Sequence, residues 1–317
     1  MSAQHVLDDL LDRSVLLGYG RLGHRLRRGS WPPIPADALR GRTALVTGAN
    51  SGIGKAIATG LAEIGAAVTL VVRDRARGAA AAAEIAAAAP GATVTVAHCD
   101  VSDLAAVREF AADLARQVDR VDVLVHNAGV LPPRRTENPQ GHELCLATHV
   151  LGPLLMTEAL APLLSRSAAA RVILVSSGGM YTQALHPGDI EYRATPYRGA
   201  TAYARSKRIQ VDLTPILADR YAPQGISVHC MHPGWVDTPG ISSALPRFRR
   251  LAGPLLRTPE QGADTAVWLA AMDVPSGRFW HDRRARPEHY PARTRTSAAA
   301  REQVWQYCAA AAGLPAR

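Results

Sequence analysis

Lysine is almost missing from this chain of 317 residues: Lys55 and Lys207 are the two ammonium side chains, and every other basic position is arginine. Aromatic residues make up 5% of the chain and do not interleave with the arginines. The net charge of +9 therefore reads as an arginine-decorated surface, not as a nucleic-acid groove lined with stacking rings. Cysteine is sparse and scattered. Cys99, Cys145, Cys230 and Cys308 form no Cys-x-x-Cys pair and no Cys/His cluster, so neither a zinc framework nor any other metal site is expected. No uninterrupted apolar run reaches the ~20 residues of a bilayer span. Asp8, Asp9 and Asp12 stand where a secretory signal would need basic residues. Together these features point to a cytoplasmic protein with reduced thiols. No repeat period is visible, which argues against a solenoid.

What is present is an alternation of short β-branched runs and helical segments. Thr43 to Thr47, Val68 to Val72, Val94 to Ala97, Val121 to Val125, Val172 to Val175 and Ile226 to Met231 read as strands. Lys55 to Ile64, Arg77 to Ala89, Leu104 to Gln117, Leu144 to Leu164 and Tyr203 to Arg220 read as the helices between them, with Gly152 and Pro153 bending the fourth. Near-continuous apolar strands separated by helices imply a parallel sheet covered on both faces. Right-handed crossovers then give an α/β fold, a single-domain, Rossmann-type, doubly wound parallel sheet. Residues 40–282 are expected to form this domain.

Residues 1–39 are expected to be an amphipathic N-terminal helical extension. Val6, Leu7, Leu10, Leu11, Ser14, Val15, Leu17 and Leu22 lie at helical spacing, and Arg21, Arg25, Arg27 and Arg28 follow. A helix that covers exposed core is the favoured reading, and weak contact of residues 1–30 with a membrane surface is the alternative. Residues 283–317 read as a basic, solvated C-terminal tail, with a last helix over 298–311.

Two patterns carry chemistry. The first is Thr47-Gly48-Ala49-Asn50-Ser51-Gly52-Ile53-Gly54, placed between a strand and a helix. Glycines there let the backbone turn tightly and approach a pyrophosphate, which the free N–H groups of the following helix attract. The second is Tyr203-Ala204-Arg205-Ser206-Lys207, which puts a phenol and an ammonium one helical turn apart. Lysine stands at this position although arginine fills almost every other basic one, and a guanidinium cannot replace a compact, tunable ammonium. The cation, with the charge of a bound oxidised nicotinamide, is expected to lower the phenol pKa from its ordinary value of ~10, so that Tyr203 serves as acid/base.

The spacing Gly-x-x-x-Gly-x-Gly, together with Asp100-Val101, Asn127-Ala128-Gly129, Ser176-Ser177, Tyr203 to Lys207 and Pro233-Gly234 in that order, resembles the short-chain dehydrogenase/reductase superfamily in its classical branch. The resemblance covers about Gly41 to Asp282. Val175 to Met180, Met231 to Gly240, Gln261 to Thr265 and Ser276 to Asp282 look like the branch called dehydrogenase/reductase SDR family member 12, whose substrates are poorly defined. The resemblance implies an oxidoreductase that moves hydride between a nicotinamide and a carbonyl or alcohol. Tyr203 would be the acid/base, Ser177 would position the substrate oxygen, and Lys207 would also bind the nicotinamide ribose. It further implies cofactor contacts at Gly48, Asn50, Ser51, Gly52, Ile53, Gly54, Asp100, Val101, Asn127, Ala128, Gly129, Tyr203, Lys207, Pro233, Gly234, Val236 and Thr238, and a homo-oligomer.

Cofactor choice rests on Val72-Arg73-Asp74 after the second strand. An acid there would hold ribose hydroxyls, but Val72 takes that register and Arg73 follows, which favours NADP(H); Asp74 is the competing NAD-like signal. The chain departs from the family at His149, which aligns with the usual catalytic asparagine. That asparagine helps maintain a helix kink whose carbonyl holds a relay water. His149 therefore puts the proton relay in doubt and motivates a second reading, a non-catalytic nucleotide-binding regulator. Ser177 and Tyr203 stand 26 positions apart, which leaves room for a loop at the substrate mouth. The apolar segment 237–257 suggests a second lid and a hydrophobic small-molecule substrate.

Overall fold

The computed structural model describes Asp8, Asp12, residues 18–237 and residues 253–315. Eight strands form one sheet in the order β3-β2-β1-β4-β5-β6-β7-β8. They are β1 (Thr43–Thr47), β2 (Ala67–Val72), β3 (Val94–His98), β4 (Val123–His126), β5 (Ala170–Val175), β6 (Ile226–Met231), β7 (Phe279–His281) and β8 (Arg284–Ala285). The first seven run parallel, and β8 turns back against β7. The helices between them are α2 (Gly52–Glu63), α3 (Arg75–Ala88), α4 (Leu104–Leu114), α5 (Leu144–Leu164), α6 (Gly199–Tyr221) and α7 (Pro259–Ala271). The doubly wound sheet expected from the alternation is what the chain forms.

Strand alternation divides the core into two layers. Ala44 and Val46 point to one face and pack with Ile57 and Leu61 of α2 and Leu269 of α7. Leu45 points to the other and packs with Val107 of α4, Leu151 and Leu154 of α5, and Val211 of α6. Helix α5 is long and apolar enough to cross a membrane, yet 83% of its most apolar stretch is buried inside the fold. Its apolarity is that of a core helix in contact with protein on nearly every side. A π-helical turn at Ala147–Leu151 interrupts it just before Gly152. That glycine is required by packing, since a Cβ there would lie 1.9 Å from the Val101 carbonyl oxygen.

Two expectations change. Helix α1 (Arg21–Arg28) does not cover core with leucine: Leu22 and Leu26 are about half exposed, while Gly23, His24 and Arg27 face inward. The reason is electrostatic. Arg27 Nη1 donates to Asp282 Oδ2 at 2.7 Å and to the Gly18 carbonyl at 2.8 Å, so the inward face is the charged one. The apolar positions from Val6 to Leu17 lie outside the described residues. The C-terminal segment is not solvated either. Arg284 and Ala285 join the sheet, the Tyr181 hydroxyl donates to the Pro287 carbonyl at 2.7 Å, and α8 (Ala298–Ala312) buries Val304, Cys308 and Ala312. All four cysteines are free and buried.

Asp122 ties the amino ends of the strands together. Its carboxylate accepts from the Thr43 amide at 2.8 Å, Ser167 Oγ at 2.6 Å and Arg120 Nε at 3.2 Å. Burial opposes its ionisation, but these donors prevail and hold its pKa below the ordinary value. A depressed folded pKa stabilises the fold above the unfolded value near ~3.9, and that stabilisation is lost as pH falls through the folded value. Asp122→Ala should cost about 1–3 kcal/mol in urea unfolding at pH 7 by leaving buried donors unpaired. The difference from the parent should shrink below about pH 4. An equal loss at pH 3 and pH 7 would contradict this assignment.

Candidate active site

The strand order reverses between β1 and β4, and a cavity of about 920 Å³ opens beyond the carboxyl ends of the strands. Thr47 and Asn127 hold the seam. Thr47 Oγ1 accepts from the Asn127 and Ala128 amides at 3.0 and 3.1 Å, and Asn127 Nδ2 donates to the Thr47 carbonyl at 3.0 Å. The glycine turn fits into this frame. Gly48 has φ +66°, and a Cβ on it would meet Ala128 Cα at 2.8 Å. A Cβ on Gly54 would meet Asn127 Nδ2 at 2.3 Å. The backbone of the turn is thereby left bare, and the N-terminus of α2 faces the cavity at Ser51 and Gly52.

Most of the residues expected at the site come together here. Gly48, Asn50, Ser51, Gly52, Ile53 and Gly54 line one flank, with Arg73, Asp100 and Val101 beyond them. Asn127, Ala128 and Gly129 form the floor, and Ser177, Tyr203 and Gly234 line the other end. Asp100 is fixed by its own turn, accepting from the Ser102 amide and hydroxyl at 2.9 and 2.7 Å. Four expected residues do not line the cavity: Lys207, His149, Pro233 and Val236. Thr238 lies outside the described residues, as does most of the segment 237–257 expected as a lid.

Ser177 lies two residues beyond β5 and caps the short turn Gly178–Thr182, where its Oγ accepts from the Gly179 amide at 3.2 Å. Ser177 and the Tyr203 phenol line the same end of the cavity. Within the protein alone, burial pushes that phenol above its ordinary pKa and the Ser177 hydroxyl opposes the shift. The expected lowering by Lys207 is therefore not the net balance of the protein's own groups. Lys207 sits behind the tyrosine, its Nζ 5.7 Å from the ring centroid. Its ammonium is spent on the Val175 carbonyl at 2.7 Å, and burial lowers its pKa to about 8.

His149 lies in the π-helical turn, fully buried, its ring 5.3 Å from that of Tyr203 and nearly perpendicular to it. Its Nε2 accepts from the Val130 amide at 3.0 Å, so the proton must sit on Nδ1, which meets Ser206 Oγ at 2.7 Å. Ser206 Oγ in turn donates to the Tyr203 carbonyl at 2.8 Å. The His149 carbonyl accepts from Gln210 Nε2 at 2.7 Å. The histidine thus holds the kinked helix against the Tyr203 helix. Burial, reinforced by the Lys207 charge, keeps its pKa well below the usual range.

Sequence reasoning missed several residues. Arg77, Thr182 and Trp235 line the cavity, while Ser206 and Gln210 fix His149. A signal for Arg77 was present. Arg75 and Arg77 stand in the first turn of α3, where the helix dipole disfavours cations, and nothing in the core compensates for them. No local pattern marks Ser206 or Gln210, because their partners come from another helix.

The model of the short chain dehydrogenase family matches residues 42–246. Dehydrogenase/reductase SDR family member 12 of Bos taurus is 41% identical over 271 residues, which cover 83% of this chain and 84% of that protein. Retinol dehydrogenase 14 of Mus musculus is 33% identical over 77% of this chain and 78% of its own length. Among solved structures, the Pseudomonas aeruginosa RhlG/NADP active-site complex superposes with a TM-score of 0.64, at 29% identity, over 77% of this chain and 96% of that one.

The locked imidazole yields a direct test. Nitrogen-15 spectra of His149 should show the neutral Nδ1–H tautomer unchanged from about pH 5 to pH 9, because protonating Nε2 would break the bond from Val130. Appearance of an imidazolium in that window would contradict the burial described here.

Proposed function

Since the chain belongs to the short-chain dehydrogenase family and is an oxidoreductase, we propose that it is an NADP(H)-dependent reductase of a hydrophobic carbonyl compound, or the corresponding alcohol dehydrogenase. The observation that carries this reading is one cavity with two unlike ends. At one end the Ser177 hydroxyl and the Tyr203 phenol line the cavity together. At the other, Arg73 and Arg77 flank the exit of β2 beside the bare glycine turn. A dinucleotide is the ligand that spans such a site. Its pyrophosphate suits the turn and the α2 N-terminus, and its nicotinamide would supply or accept hydride at the tyrosine.

Asp74, the rival signal for NAD, also lines the cavity but is partly engaged. Its carboxylate caps α3 by accepting from the Arg77 amide at 3.0 Å. This supports Arg73 and Arg77 as ligands of a 2′-phosphate, an anion that suits the forked donors of a guanidinium. Val130, Leu131, Leu144 and Trp235 give the cavity apolar walls, which supports a hydrophobic substrate.

In the reducing direction the Tyr203 phenol gives its proton to the carbonyl oxygen. Ser177 Oγ donates to the same oxygen and fixes its position. Burial keeps the phenol protonated but weakens it as an acid, so both directions rely on the nearby Lys207 cation to stabilise charge on the phenol oxygen. That cation is held at the Val175 carbonyl behind the tyrosine ring, where it would stabilise negative charge on the phenol. His149 acts through position: it fixes the Tyr203 helix without exchanging protons. The regulator reading draws no support from the relatives, which are named as dehydrogenases and reductases.

Three variants test the proposal. Tyr203→Phe should lower NADPH-dependent carbonyl reduction by about 10²–10⁴-fold while NADPH still quenches protein fluorescence. Arg73→Ala should weaken NADPH about 10–100-fold and NADH hardly at all, as expected for loss of one charged hydrogen bond. His149→Asn, compared with the parent across a pH series, should turn over faster if the histidine limits proton relay. An unchanged rate at every pH would remove that role. Binding of neither nucleotide to the parent protein would sink the enzyme reading.

A further inference from the structure

The buried segment Gly18-Tyr19-Gly20 lies directly behind the chemistry-bearing end of the cavity. Tyr19 is 1% exposed. Its ring packs on Gly178, beside Ser177, so closely that a Cβ on that glycine would lie 2.9 Å from Tyr19 Cε2. The same ring stands 4.6 Å from His232, 5.0 Å from His281 and 6.4 Å from Trp235, centroid to centroid. The Tyr19 carbonyl accepts from the Trp235 amide at 2.8 Å. One side chain therefore abuts both the turn after β5 and the loop after β6. The first carries Ser177, and the second lines the cavity with Gly234 and Trp235.

The segment is clamped from behind by Arg257. This guanidinium, 1% exposed, donates to the Gly18 carbonyl at 3.0 Å, the Gly20 carbonyl at 3.2 Å and the Pro233 carbonyl at 3.3 Å. It pairs with both oxygens of Asp282 at 2.6 and 2.8 Å, and Arg27 reaches the same carboxylate from α1. The Arg257 amide also bonds the Trp235 carbonyl at 2.7 Å. Gly234, at φ +78°, is pinned between Arg257 Nε and the Tyr19 carbonyl, each 2.6 Å from where a Cβ would stand. A desolvated, bidentate ion pair of this kind holds a backbone in one register more firmly than apolar contact does.

We propose that Tyr19 is a positioning residue that sets the distance between Ser177 and the loop carrying Gly234 and Trp235, and so aligns the nicotinamide with the substrate carbonyl. The inference rests on the reading that a dinucleotide fills the cavity. Because the adenosine end lies far off, near Arg73, loss of the Tyr19 ring should loosen only the nicotinamide end. A displacement of about 1 Å at reacting atoms lowers rate about 100-fold.

The test compares NADPH with 2′,5′-ADP, which has the adenosine end and no nicotinamide. It uses Tyr19→Ala, the bulkier Tyr19→Leu in case the first fails to fold, and Tyr19→Phe. Calorimetry should find 2′,5′-ADP affinity within about twofold of the parent in all three. NADPH should bind about tenfold more weakly in Tyr19→Ala and Tyr19→Leu, with kcat down about 100-fold, and Tyr19→Phe should restore both. If the two nucleotides weaken by the same factor, or if the NADPH to 2′,5′-ADP ratio stays at the parent value, Tyr19 is structural only and the inference is overturned. If the parent itself binds neither nucleotide, the cofactor reading fails first and takes this inference with it.

Discussion

The hydrogen bonds between Thr47 and Asn127 hold together the point of the sheet where the strand order reverses and the cavity opens. Strands β1 and β4 pair as neighbours, but their following segments leave in opposite directions, so the backbone groups beyond them have no ladder partner. Thr47 Oγ1 takes two of those amides and Asn127 Nδ2 takes a carbonyl in return. With these groups satisfied, the turn can leave its remaining amides open to an anion at no structural loss. The absence of side chains at Gly48 and Gly54 follows from the same latch, since Ala128 and Asn127 occupy the space that a Cβ would need.

The second constraint is the π-helical turn in α5. An irregular turn in a buried helix frees backbone groups that must find partners, and its cost persists only when the surroundings determine it. His149 and Gln210 meet that requirement. The imidazole takes the Val130 amide and gives its proton to Ser206, and the Gln210 amide caps the His149 carbonyl. The bulge, the Tyr203 helix and the strand end at Gly129 are thereby locked to one another. A neutral histidine can do this because it is donor and acceptor at once, as an asparagine side chain is. The substitution keeps the hydrogen-bonding logic of the position while changing its size.

Local patterns made the sheet and the cofactor flank legible in the sequence. The alternation of strand and helix, the glycine turn, Asn127-Ala128-Gly129 and the Tyr203–Lys207 spacing each depend on residues near one another in the chain. What was illegible depends on distance. The leucines of α1 suggested an apolar inner face, but Arg27 turns inward because Asp282, 255 positions later, waits there. Helix α7 and strands β7 and β8 carry short, mixed sequences whose burial is decided by neighbours from β6 and α2. The Tyr203–Lys207 pair was recognised, but its surroundings were not: spacing on a helix says which groups are near, and not which of them is bound to a carbonyl.

The charged cluster around Asp282 shows why the N-terminal segment belongs to the enzyme and not merely beside it. Asp282 has φ +51°, an unfavourable conformation for a residue with a side chain, and its carboxylate is almost wholly buried. Burial alone would favour the neutral acid, but the Arg257 and Arg27 guanidiniums hold its pKa well below the ordinary value. The cations that make that charge tolerable are the same ones that grip the carbonyls of Gly18 and Gly20. Removing the segment would therefore strip Asp282 and Arg257 of partners in the interior, which is more damaging than losing a surface helix. The chain around Tyr19 is thus fixed by electrostatics at its back and presents a rigid aromatic face at its front, where the strand ends carry Ser177 and Gly234.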